Sequence, residues 1–212
     1  MIQAVPVERA RVVHTALQLE IVTIVWMIIE AGASIVAGIA ARSLLLIAFG
    51  IDSGIELISG LVLFWRLKRE SLGGVAEIER LEKVERKASR IGGWLLYLLS
   101  AYVIIQAAYG LLSRHAAEKS WLGIAIAIAA AIGMPFLAKA KLRIADQIES
   151  RALRADAMET LTCGYLAWVL LAGLSANALL HWWWLDSTAS LAIVPLLLRE
   201  AKEASSGRCC SD

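Results

Sequence analysis

The sequence predicts an all-α membrane protein, a bundle of six transmembrane helices with both termini in the cytoplasm. Three observations carry this. Of the 212 residues, 59% are hydrophobic and 19% charged, with a mean hydropathy of +0.67, too apolar for a soluble domain whose surface is largely polar. The apolar residues gather in runs close to the roughly 20 residues a helix needs to cross a bilayer. Eighteen of the 21 Lys and Arg residues fall on one side of the membrane these runs define, which by the positive-inside rule is the cytoplasmic side.

The first run, 18–40, follows Arg9 and Arg11 and is far longer than the apolar core of a signal peptide, so it is expected to remain in the membrane. It carries Glu30 near the bilayer middle, one turn after Trp26, and Glu20 near the cytoplasmic face, where partial solvation is expected. The second run, 43–65, holds Asp52 and Glu56 together with Gly50 and Gly54. Residues 66–90 alternate acids and bases, with Glu79–Lys83 and Glu82–Arg86 at favourable helical spacing, and read as a solvated cytoplasmic helix. The third and fourth runs are 91–112 and 121–138. The 139–154 stretch, opening with Lys139, Lys141 and Arg143, reads as a basic cytoplasmic connection. The fifth run is 155–178. The sixth, 182–198, is shorter; Trp182, Trp183 and Trp184 suit the interfacial aromatic belt, and Asp186 suits the cap of the helix. One membrane domain over 1–203 and a short cytoplasmic tail over 204–212 account for the chain. The near-neutral net charge of +2 gives no indication of nucleic-acid binding.

An ionisable group at the centre of a membrane helix costs roughly 2.5–3.5 kcal/mol on insertion scales, against about 0.3–0.6 returned by each aliphatic residue. Asp52 and Glu56 therefore offset most of the gain of their helix, and acids kept at that cost belong to ion pathways or proton relays; a polar contact between helices is the alternative. At about 100° per residue, both point away from Gly50 and Gly54, whose small-xxx-small spacing lets a neighbouring helix approach. Ser59 lies beside the acids. One turn apart, the two carboxylates repel by roughly 3 kcal/mol at an effective dielectric of about 20, so the pair holds a proton or shares a metal, and the two cargoes compete.

Two acids do not complete a coordination shell. In the fifth run Asp156, Glu159, Thr160 and Cys163 form a polar stripe about 100° wide, and Glu159 and Cys163 are again i,i+4. A site with Asp52 and Glu56 from one helix and Glu159 and Cys163 from another suits zinc and related ions, the thiolate disfavouring magnesium and calcium. Glu30, Asp156, Ser59 and Thr160 are candidates for supporting hydrogen bonds or a proton path. The adjacent Cys209 and Cys210 of the tail are candidates for metal capture, and a reduced cytoplasmic tail is expected. No Ser–His or Cys–His pair converges in the interior, which argues against an enzyme.

Residues of three segments are similar to those of the cation diffusion facilitator family. "FGIDSGIEL" resembles its Asp-x-x-x-Asp metal motif at Asp52 and Glu56; "SRALRADAMETLTC" resembles the segment ending in His-x-x-x-Asp, with Glu159 and Cys163 at the matching positions; "HWWWLDSTASLAIVPLL" resembles the outer turn and Asp that open the sixth helix. The resemblance implies a six-helix fold, proton-coupled efflux of zinc or a similar divalent ion across the cell (inner) membrane, and a homodimer. The ion and protons are then cargo, and no resident cofactor is expected. With about fourteen residues after the sixth helix, the family's cytoplasmic domain is expected to be absent and the dimer to be held by membrane helices. A passive cation channel, or a non-transporting metal-binding or regulatory subunit of the same fold, is the competing expectation.

Overall fold

The computed structural model describes residues 4–71, 78–113, 117–180 and 182–206. Its six helices are α1 (Ala4–Ala41), α2 (Leu44–Ser71), α3 (Ile78–Ser113), α4 (Trp121–Ile148), α5 (Arg151–Leu180) and α6 (Leu185–Ser206). Cys209 and Cys210 lie outside the described residues. Every apolar run is a helix; α1, α3 and α5 extend beyond the run at both ends, and α2, α4 and α6 only at the C-terminal end. The 139–154 stretch is not a loop: α4 continues through it and turns into α5 at Glu149, whose φ of 53° closes the connection, and Ser150 Oγ accepts from Leu153 N to cap α5.

Five segments are long and apolar enough to cross a membrane: Arg11–Ala41, Leu44–Arg69, Arg90–Ser113, Trp121–Ile148 and Ala152–Leu179. The sixth helix is apolar only to Leu198, beyond which Arg199, Glu200, Lys202 and Glu203 follow. The side chains confirm which solvent the bundle is built for. Along α1, Glu20, Thr23, Glu30 and Ser34 face inward and are buried, while Ile21, Val25, Ile28, Val36 and Ile39 face outward and are exposed. A helix that hides its polar face and shows its apolar one is stable only in lipid. The chain is a multi-pass membrane protein.

In the packing, α1 lies chiefly against α2, α4 against α5, and α3 against α6, with α1 also touching α4. Helix α2 reaches α1, α3, α5 and α6, and is buried along most of its circumference. Gly50 permits its contact with α1: a Cβ there would lie 3.0 Å from Ala31 O and from Ile35 N. Gly54 has no such role, since its Cβ position meets nothing within 4 Å. The tightest seam joins α3 to α6, where a Cβ on Gly93 would stand 2.7 Å from Ser205 N and 2.8 Å from Ala201 O. At the opposite end of the bundle, Asp186 reaches from the first turn of α6 to α2, accepting from Ser43 Oγ at 2.5 Å and Leu44 N at 2.8 Å. Asp186 thus caps α2, a partner that its position in the sequence did not suggest.

Candidate metal site

Asp52 and Glu56 lie on the inward face of α2 and are 1% and 4% exposed. All four of their carboxylate oxygens are buried and accept no hydrogen bond from any described residue. Buried polar oxygens are almost always hydrogen-bonded; these four adjacent oxygens are exceptions, as are both oxygens of Glu20, which however has Lys141 Nζ at 3.0 Å. The third carboxylate comes from α6. Oxygens of Asp52, Glu56 and Glu200 all lie within 4.8 Å of one another, the one group of three potential ligands among the described residues. Glu200 is 8% exposed and its Oε2 is likewise unpartnered.

Glu200 is not among the residues the sequence points to, because the sixth apolar run ends at 198. The buried positions Asp186, Ser190, Ile193, Leu197, Glu200 and Ala204 recur at helical spacing, and continuing that stripe by one turn identifies Glu200 as an inward residue.

The expected helix α5 residues sit around this group without joining it. Cys163 is fully buried; its Sγ donates to Glu30 Oε1 at 3.4 Å and lies within side-chain hydrogen-bonding range of the Glu56 carboxylate, with Asp52 a further electrostatic neighbour. Glu159 is partly exposed and interacts electrostatically with Asp52, Glu56 and Glu200 on one side and with Asp156, Lys141 and Glu20 on the other. Glu30 accepts from Ser53 Oγ at 2.7 Å, from Cys163 and from Trp26 Nε1, so it joins α1, α2 and α5 beside Asp52. Thr160 Oγ1 donates to the backbone oxygen of Asp156. Ser59 is half-buried and turned toward α3, its Oγ 3.9 Å from where a Gly92 Cβ would stand.

A second buried cluster lies nearer the α4–α5 turn. Lys141 Nζ donates to Asp156 Oδ2 at 2.5 Å and stands 3.0 Å from Glu20 Oε2, with Lys141 and Glu20 fully buried and Asp156 nearly so. Glu20 is therefore not partly solvated as its depth suggested: α2 covers it, with Gly60 so close that a Cβ would lie 3.3 Å from Glu20 Oε1. Nor is Lys141 a loop residue. It belongs to the buried stripe of α4 that runs through Ala127, Ala130, Met134, Ala138, Ala145 and Ile148. Asp156, whose acidic side chain near the start of α5 is favourable in any case, is a partner in this ion triad.

An uncharacterized transporter of Synechocystis sp. is 26% identical over 149 residues, which is 70% of this chain and 48% of that protein. The chain thus spans about half the length of the curated relative it matches. A family model, the cation efflux transmembrane domain, matches residues 21–205. The match takes in most of α1 and all of α2 to α5, and it ends one residue short of the end of α6: the chain belongs to the cation efflux family.

Proposed function

We propose that the chain moves a divalent metal cation out of the cytoplasm across the cell (inner) membrane in exchange for protons, binding the ion at Asp52 and Glu56. The observation that carries this reading is the set of four buried, unpartnered oxygens on one face of α2. Carboxylates so placed repel each other, and the repulsion is relieved by a proton or by a cation. A metal that binds there displaces protons, and protons that return displace the metal, which couples the two without a separate device. Glu159 stands between this site and the Glu20–Lys141–Asp156 triad and serves as the relay between the cytoplasm and the site. Zinc or a similar transition-metal ion is the cargo in this reading, and two copies associate through their membrane helices.

Flux of Zn²⁺ and Mn²⁺ into proteoliposomes, measured with and without a pH gradient, tests the proposal. Flux driven by the gradient is the expected result. Flux indifferent to the gradient would mean a passive channel, and no flux in either condition would leave a binding or regulatory subunit.

A further inference from the structure

We infer that Glu200 of α6 is a ligand of the transported ion, and that the ion sits in an all-oxygen site of three carboxylates spanning α2 and α6, with Cys163 outside its coordination shell. The inference rests on the reading of Asp52 and Glu56 as the metal site and deepens it by naming a third ligand and the class of ion it suits.

Three observations place Glu200 there. Its ligand oxygen is within 4.8 Å of those of Asp52 and Glu56. Its buried Oε2 has no hydrogen-bond partner among the described residues. The adjacent base does not turn inward to neutralise it: Arg199 is 77% exposed and pairs with Glu203, one turn further along the outer face, at 3.0 Å. A buried carboxylate oxygen without a donor is disfavoured unless a proton or a cation joins it.

The donor set then defines the chemistry. Oxygens bonded to one six-coordinate ion at about 2.1 Å stand about 3 Å apart when adjacent and about 4.2 Å when opposite, so the three oxygens, within 4.8 Å of one another, have to draw closer to hold one ion. Three carboxylates with water filling the remaining positions suit oxygen-preferring divalent ions such as Mn²⁺ in octahedral geometry, whereas a cysteine thiolate would select softer ions in a tetrahedron. The thiol of Cys163 donates to Glu30 and also neighbours Glu56, but its Sγ does not belong to the group of mutually close ligand atoms that Asp52, Glu56 and Glu200 form among the described residues.

The test uses the purified full chain, with Mn²⁺ affinity measured by calorimetry and Co²⁺ as a spectroscopic probe. Glu200→Gln is expected to weaken Mn²⁺ binding by about tenfold or more, Glu200→Asp to retain most of it, and Glu203→Gln, which removes the same charge from the outer face of the same helix, to leave it unchanged. The Co²⁺-loaded wild type is expected to show the weak visible bands of a six-coordinate oxygen site and no sulfur-to-cobalt charge-transfer band. Mn²⁺ binding that is abolished by Asp52→Asn but untouched by Glu200→Gln would overturn the inference while leaving the site on α2 intact. Intense tetrahedral bands with a sulfur charge-transfer band would also overturn it, and would return Cys163 to the site. A wild type that binds neither ion would remove the metal reading itself and the inference with it.

Discussion

Two clusters of buried acids share this bundle and differ in one respect. Around Lys141, the carboxylates of Glu20 and Asp156 have a cation supplied by the protein, held at 3.0 and 2.5 Å. Around Asp52, three carboxylates approach one another with no base among them. The first cluster joins α1, α4 and α5 through a base of its own. The second has no base among its three acids, and under the proposed function the transported ion supplies the missing cation.

The largest expected effect breaks the first cluster. Lys141→Met leaves two buried acids without their base, and removing one member of a buried pair typically costs 3–5 kcal/mol, so thermal unfolding in detergent should shift sharply downward. Asp52→Asn should do the reverse in the metal-free protein, leaving the melting temperature unchanged or raised because it removes repulsion. The same variant should lose the stabilisation of about 2.7 kcal/mol that a ligand confers at a hundred times its dissociation constant, measured as the Mn²⁺-induced shift in melting temperature. If Asp52→Asn destabilises the protein as Lys141→Met does, the two clusters are alike and the contrast fails.

Gly93→Leu sharpens the comparison from the side of packing. Its side chain meets the α6 backbone at Ser205 and Ala201, an overpacking that costs about 1–3 kcal/mol. The displacement falls on Glu200, so Mn²⁺ affinity should drop while the Lys141 triad, which contains no α6 residue, keeps its contribution. The smallest effect belongs to the exposed pair of Arg154 and Asp146, whose side chains are 62% and 57% exposed. Asp146→Asn should change stability by less than about 1 kcal/mol, which checks that the large effects come from burial and not from charge as such.

The helices and the orientation of Asp52 and Glu56 were legible in the sequence because both follow from periodicity and hydropathy, which local residues determine. The partners of those acids were not. Glu200 and Lys141 sit past the ends of apolar runs, and a reading that equates the run with the helix counts them as solvated. Burial there comes from neighbouring helices, not from lipid, so hydropathy carries no trace of it. The inward stripes of α4 and α6 do carry a trace, since Lys141 and Glu200 fall in step with the alanines and leucines before them. Glu159 and Cys163 were singled out by their spacing on α5, yet spacing says nothing about which third helix comes closest to Asp52 and Glu56.

The Gly93 contact also gives the site a mechanical character. Backbone against backbone, α3 and α6 are fastened into a pair, while Asp52 and Glu56 stand on a helix packed closely with α1. The three acids therefore straddle a joint between two parts of the bundle. Metal–oxygen bonds tolerate displacements of only a few tenths of an ångström, whereas one residue of helical rise is about 1.5 Å. If the three acids hold the cargo as proposed, a slide of the α3–α6 pair by that single step would change the number of ligands on the ion, so the grip on the cargo and the alignment of the two parts would be one and the same variable.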